Sequence, residues 1–325
     1  MPIVAANKDS IARAAEALAR GEIVAFPTET VYGLGANALD ASAVAKVFAA
    51  KERPRFNPLI VHVLGLDEAE SYAAVSDTAR KLIGAFWPGP LSLVLPRKRG
   101  CAIPDLVSAG LDTIALRAPS HPVARALLEA AKLPIAAPSA NRSGRVSPTI
   151  ARHVEAELGT LPVMILDGGP CSLGLESTVL GIDGDDVTLL RLGALPREEI
   201  ETVLGQRLAS PEAGSQLSSP GQLAAHYAPM TPLRLNARSA KRGEALLAFG
   251  PQVPDFTGPT INLSKRGDLV EAAANFFAAL RALDEAGVET IAVMPIPAHG
   301  LGEAINDRLK RAASPATIPV SVELP

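Results

Sequence analysis

The sequence predicts an α/β chain: a twisted mixed sheet with flanking helices, followed by a smaller C-terminal α/β domain of Rossmann-like kind. Three features carry that expectation. Over the first two-thirds, short β-type runs alternate with segments whose apolar residues recur at helical spacing. Residues 206–232, QRLASPEAGSQLSSPGQLAAHYAPMTP, break the rhythm with Ser, Pro, Gly and Ala. A second, shorter alternation follows.

Each element has its own signal. A first helix is expected with Asp9 or Ser10 as its cap, with Ile11, Ala14, Ala15, Leu18 and Ala19 on one face and Gly21 as its stop. Strand-like runs follow at EIVAF (22–26), PLIVHV (58–63), LSLVL (91–95), TIALR (113–117), LPIAA (133–137), VMIL (163–166), STVLGI (177–182) and VTLLR (187–191). Helical patterns lie around 40–50, 76–86, 121–131 and 149–158. Residues 206–232 read as a long linker, a length that is either disordered or functional. Beyond it, PLRLNA, ALLAFG, TINLS and TIAVMPI read as strands, and 268–286 and 301–313 as helices. The expected division is 1–205, a linker over 206–232, and 233–325.

Bulk composition narrows the function. The chain has 325 residues, 48% of them apolar and 20% charged, so it can bury a sizeable core. No run of about eighteen uncharged apolar residues occurs, so no membrane span is expected. MPIVAANKDS lacks a signal peptide's layout, and Cys101 and Cys171 are too few for a disulfide framework; both facts suggest a cytoplasmic protein with free thiols. The net charge is −3, and neither side of residue 205 is basic. That balance argues against a protein whose main task is coating nucleic acid.

The chemistry sits in a few loops. AFPTETVYGLGANA (25–38) follows an apolar run where a strand would feed a helix, yet it has neither a Walker lysine nor G-x-G-x-x-G spacing. In KERPRFNPLIVHV (51–63), Lys51, Arg53 and Arg55 would share one side of an extended chain, a seat for a triphosphate or else a solvated charged edge. Arg117, at the end of TIALR, could grip a carboxylate in two parallel hydrogen bonds or make a structural ion pair. PIAAPSANRSGRVSPT (134–149) carries Ser139, Asn141, Ser143, Ser147 and Thr149 beside Gly and Pro, which lets backbone and hydroxyls approach a ligand closely. Ser177 and Thr178 repeat that design, and Arg191 ends another strand. The five histidines are scattered without metal-binding spacing, His62 reads as a core histidine, and no nucleophile has an activating partner.

Six segments in order, PTETVYGLGANA, KERPRFNPLIVHV, WPGPLSLVLP, RAPSHP, APSANRSGRVSPT and GLESTV, resemble the YrdC family. With SPGQLAAHYAP (219–229) and GLGEAINDRLKRAA (300–313), the chain resembles the two-domain branch of that family over almost its whole length. The resemblance implies that L-threonine, bicarbonate or carbon dioxide, and ATP with Mg²⁺ give threonylcarbamoyl-AMP and pyrophosphate. That product serves modification of the adenine beside the anticodon in ANN-decoding tRNAs. A separate transferase complex completes that step, so tight tRNA binding is not expected. By the same resemblance Thr30, His62, Arg117, Ala137 (through its backbone) and Ser177 would hold L-threonine. Arg53, Asn57, Thr113, Ser139, Ser147 and Arg191 would hold ATP, with Lys51 beside Arg53 as the catalytic phosphate cations. His226 or Tyr227 would reach back from the linker over the nucleotide. Glu52 stands where the family often has Gly, Ser92 where it has Thr, and the linker lacks the usual basic and aromatic residues before its His-Tyr pair. An RNA-binding module and a related carbamoyl-transfer enzyme are the alternatives; the latter's zinc finger has no Cys pairs here.

Overall fold

The computed structural model describes residues 3–210 and 227–314. Ten strands form one mixed sheet: β1 (Ile3–Ala5), β2 (Val24–Phe26), β3 (Gly33–Asn37), β4 (Ile60–His62), β5 (Leu91–Pro96), β6 (Thr113–Arg117), β7 (Ile135–Ala136), β8 (Met164–Asp167), β9 (Thr178–Asp183) and β10 (Asp186–Arg191), in the order β1-β8-β2-β3-β7-β4-β6-β5-β9-β10. Its helices are α1 (Lys8–Ala19), α2 (Ala41–Lys51), α3 (Leu66–Tyr72), α4 (Asp77–Phe86), α5 (Asp105–Ser108), α6 (Pro122–Ala131), α7 (Ala151–Leu158) and α8 (Arg197–Leu204). The smaller sheet is all parallel, β11 (Leu233–Arg234), β12 (Glu244–Ala248), β13 (Thr260–Asn262) and β14 (Thr290–Val293), ordered β11-β14-β12-β13, with α9 (Leu269–Asp284) and α10 (Leu301–Ala313). Among the described residues no helix is long and apolar enough to cross a membrane.

Every strand-like run named from the sequence is a strand, and the expected helices are present with ends shifted by a residue or two. The departures are local and physical. The first helix starts at Lys8, because Asn7 is the cap: its side chain accepts from the Asp9 and Ser10 amides, and Ser10 returns the bond in a capping box. The loop after β2 does not feed a helix. It turns back into β3, antiparallel to β2. Its glycines serve close packing, since a Cβ on Gly35 would stand 2.7 Å from both the Phe26 ring and Ile135.

Nor is the Lys51–Arg55 stretch extended. Lys51 closes α2 and Glu52 takes a left-handed conformation (φ 52°), so the chain reverses. Lys51 and Arg53 turn inward and are buried, whereas Arg55 is exposed, so the three cations do not share one side.

The two sheets meet through a continuous apolar cluster. Val31, Val146, Leu175 and Ala194 of the larger domain pack with Phe276, Phe277, Leu280, Ile305 and Leu309 of the smaller one. Arg281 of α9 crosses this boundary to a half-buried ion pair with Glu157 (3.0 Å) and also donates to the Val146 carbonyl. Most of the segment expected as a linker, 211–226, lies outside the described residues.

The left-handed cap of α2 yields a stability test. A glycine there carries no Cβ penalty, and the Glu52–Arg142 pair it would remove is exposed. Glu52→Gly is expected to raise the urea midpoint, by about 1 kcal/mol of unfolding free energy, with no change in the slope.

Candidate active site

The large sheet delivers strand ends to one cavity. Parallel pairing of β4 with β6 sets His62 opposite Arg117, so both side chains leave the sheet on the same face. Around them stand Thr28, Thr30 and Val31 from the β2–β3 loop, Ala137 to Ser139 after β7, Ser177 before β9, and Arg191 at the end of β10. Lys51 and Arg53 enter from the end of α2, and Tyr227 closes the wall beside Glu176. Lys51, Arg53, Arg117 and Arg191 are each 8% exposed or less.

On one side Arg117 organises the wall. Its Nη1 donates to Thr30 Oγ1 (2.9 Å), its Nη2 to Glu29 Oε1 (2.5 Å), and its Nε to the Gly89 carbonyl (3.2 Å). Burial alone would raise the Glu29 carboxyl, but Arg117 outweighs it and holds the group below the ordinary carboxylate range. The structural ion pair is therefore present, and the guanidinium fork is divided between a protein carboxylate and the Thr30 hydroxyl. His62 Nδ1 lies 3.3 Å from the Ile135 carbonyl, which can only accept, so Nδ1 carries the proton and Nε2 the lone pair. Burial first, and the Arg117 charge second, push the His62 pKa down to about 3. Its ring meets Phe26 edge-on at 6.1 Å, so the histidine is both packed in the core and part of the cavity wall.

The other side is cationic. Lys51 Nζ is capped by the carbonyls of Ser139 and Asn141. Arg53 donates to the Asn57 carbonyl (3.1 Å), Asn57 Oδ1 (2.7 Å) and the Pro58 carbonyl (2.8 Å). Among the described residues no carboxylate lies within 4.0 Å of Lys51 or Arg53. Burial and the neighbouring Arg53 charge pull the Lys51 pKa well down, and burial with Arg191 pulls that of Arg53 to about 9. Arg191 wraps Ser177, donating to its carbonyl (2.7 Å) and its hydroxyl (3.1 Å), and Ser92 supports the same hydroxyl at 2.7 Å.

The structure brings most of the sequence-named residues together. Thr30, Lys51, Arg53, His62, Arg117, Ala137, Ser139, Ser177, Arg191 and Tyr227 all line the cavity. Asn57 stands directly behind Arg53, and its buried Nδ2 has no protein acceptor among the described residues. Ser147 is behind Glu176, to which its hydroxyl donates (2.5 Å). Thr113 is four residues from Arg117 at the far end of β6 and does not line the cavity. His226 lies outside the described residues.

Comparison with known proteins agrees with this geometry. A family model described as telomere recombination (Sua5, YciO, YrdC) matches residues 16–193, and one for the C-terminal domain of threonylcarbamoyl-AMP synthase matches residues 195–314. Threonylcarbamoyl-AMP synthase of Bacillus subtilis (strain 168) is 42% identical over 94% of each chain, and that of Pyrococcus abyssi is 40% identical over 92% of this chain and 93% of its own. The crystal structure of P. abyssi Sua5 complexed with L-threonine superposes with a TM-score of 0.88 at 37% identity, covering 96% of this chain and 98% of that one. The chain belongs to the threonylcarbamoyl-AMP synthase family.

Within this family member one cavity group, Glu176, and two ion-pair partners behind the cavity wall, Glu29 and Arg308, escaped the sequence reading. Glu29 and Glu176 stood inside the quoted segments PTETVYG and GLESTV, but the arginine each must neutralise is distant in the chain: Arg117 for Glu29, Arg308 for Glu176. Arg308, wholly buried, comes from α10. For Glu29 the available signal was that Arg117, a buried strand-end arginine, calls for a counterion.

The neutral His62 has a measurable consequence. Its folded pKa is below the unfolded value near 6.5, so folding excludes a proton and stability is lost as pH falls from about 6.5 toward 3. Over that window the stability of His62→Gln should fall less steeply than wild type, by about 1.4 kcal/mol per pH unit, in urea titrations repeated at each pH.

Proposed function

We propose that the protein condenses L-threonine, bicarbonate or carbon dioxide, and ATP into threonylcarbamoyl-AMP and pyrophosphate. One observation carries this reading: a seat of hydroxyls, a neutral imidazole and Arg117 adjoins two buried cations, Lys51 and Arg53, that have protein carbonyls and, among the described residues, no carboxylate against them. The first half suits a small amino acid with a hydroxyl, and the second a polyphosphate. The Nδ2 of Asn57 beside Arg53, without an acceptor among the described residues, adds a donor to the cationic half. The relative from P. abyssi was crystallised with L-threonine, which supports the first half.

In this reading Arg117 takes the threonine carboxylate, the Nε2 lone pair of His62 accepts a hydrogen bond from the bound threonine, and the proton released from the amine passes to solvent. The amine loses a proton and its lone pair attacks the one-carbon electrophile. Carbon dioxide gives the carbamate directly; bicarbonate gives it with loss of water. A carbamate oxygen then attacks the α-phosphorus as the bond to the bridging oxygen breaks and pyrophosphate leaves. No protein nucleophile enters, so the residues contribute by orientation and charge. Well-held reactants can gain roughly 7–11 kcal/mol from orientation alone. Mg²⁺ would arrive on the nucleotide. Among the described residues no cluster of three His, Cys, Asp or Glu occurs, and Glu29 and Glu176 are each bound to an arginine, so the nucleotide phosphates would be its main hold.

The product would pass to a separate transferase that modifies the adenine beside the anticodon of ANN-decoding tRNAs, in the cytoplasm, where the free Cys101 and Cys171 stay reduced. Direct RNA binding is disfavoured by the same geometry: the cavity's cations lie too deep to meet a nucleic-acid backbone.

Pyrophosphate release by the purified protein should require threonine and bicarbonate together; equal release without threonine would overturn the reading. Arg117→Lys, which keeps the charge and loses the fork, should raise the threonine KM at least tenfold and change the ATP KM little. Arg53→Lys should do the reverse.

A further inference from the structure

One short segment that ties the C-terminal domain to the cavity is 173–178. The Leu173 amide donates to the Glu29 carbonyl (2.8 Å), fixing one end of it to the β2–β3 loop. Gly174 (φ 67°) lies so close to α9 that a Cβ would stand 2.5 Å from the carbonyl oxygens of Ala273 and Ala274. Leu175 is fully buried in the apolar cluster of the smaller domain. Glu176 follows, with each carboxylate oxygen committed to a different domain: Oε1 accepts from Ser147 (2.5 Å) and Oε2 from Arg308 Nε (3.0 Å). Arg308 is itself fixed by the Leu192 carbonyl (2.8 Å) and by Asp307 (2.7 Å), and its guanidinium carbon sits 4.8 Å from the centre of the Tyr227 ring. That ring stacks on Phe277 at 5.8 Å, and Tyr227 is held in a left-handed conformation (φ 65°) that a bulky side chain seldom adopts.

Glu176 lines the same cavity as Lys51, Arg53 and Arg191. A carboxylate free to turn toward those cations would neutralise them from within and compete with phosphate oxygens. Arg308, a wholly buried cation anchored on the other domain, gives that carboxylate a different partner.

We propose that Arg308 is a positioning residue for the nucleotide side of the site: it draws Glu176 toward the C-terminal domain, keeps its carboxylate off Lys51 and Arg53 and fixes Ser147. The proposal rests on the nucleotide reading above, and it makes ATP affinity conditional on the docked C-terminal domain.

The test is a pair of substitutions read on two substrates. Arg308→Gln should raise the ATP KM at least tenfold while the threonine KM stays within twofold. Adding Glu176→Gln to that variant removes the competing charge and should return the ATP KM to within about threefold of wild type, a rescue that general loosening of the fold would not give. A double variant no better than the single one, or parallel rises in both KM values, would overturn the proposal. If Arg308→Gln does not fold, Arg308→Lys keeps the charge on Glu176 but not the bond to Leu192, and a smaller rise confined to ATP is expected; an unchanged ATP KM there counts against it. Wild-type protein without threonine-dependent pyrophosphate release would sink the reading of the reaction instead. Amide exchange of 173–178, measured without ligand, still decides the positioning role: faster exchange in Arg308→Gln supports it and unchanged exchange overturns it.

Discussion

The molecule is organised around an excess of positive charge held out of water. Three guanidiniums and an ammonium line one cavity with Glu176, and Arg117 among them forms an ion pair with Glu29. Removing a charge from water costs several kcal/mol after relaxation, so each cation needs oxygens arranged around it. Backbone carbonyls supply them: Ser139 and Asn141 for Lys51, Asn57 and Pro58 for Arg53, Ser177 for Arg191, Gly89 for Arg117. Carbonyl dipoles lessen the penalty without cancelling the charge, which leaves the cavity attractive to anions.

That requirement explains the architecture better than any single motif. Carbonyls free of ladder bonds occur where strands end: Arg117 and Arg191 close β6 and β10, while Lys51 and Arg53, from the end of α2, reach carbonyls in the turn after β7 and just before β4. Bringing so many ends together demands unusually close backbones. Gly193 shows it: a Cβ there would stand 2.4 Å from the Glu176 carbonyl oxygen, the Ser177 carbonyl carbon and the Thr178 amide nitrogen. Gly35 plays the same part beside Phe26 and Ile135. The glycines of these loops serve proximity, where a phosphate loop would use them to wrap an anion.

Much of this was legible in the chain. Short apolar β-type runs located most of the strands, and the family resemblance located ten residues that do line the cavity. What failed was whatever depended on partners distant in sequence. β3 was missed because GLGAN lacks the β-branched residues that mark a strand; packing against Phe26 creates it. Lys51, Arg53 and Arg55 look equivalent in an extended chain, but a left-handed turn at Glu52 sorts them into two buried cations and one exposed. Thr113 shares a strand with Arg117, yet four residues of β-structure carry it about 13 Å away. Arg308 is 132 residues from Glu176, and no local pattern could join them.

The two arginine–carboxylate pairs are alike in chemistry and different in what they tie together. Arg117 and Glu29 both belong to the large sheet domain, joining β6 to the β2–β3 loop. Arg308 and Glu176 span two domains. A pair inside one packed body is preorganised, and a ligand meeting it pays little further ordering. A pair across a boundary exists only in the docked arrangement, so any affinity that depends on it is scaled by the docked fraction. The wall around Arg117 is thus rigid by construction, while the wall around Glu176 inherits whatever freedom the domain boundary has. The apolar cluster of Leu175, Phe277 and Leu309 and the Arg281–Glu157 pair limit that freedom. They place the energetic control of the cationic half in the packing between domains, well away from the cations themselves.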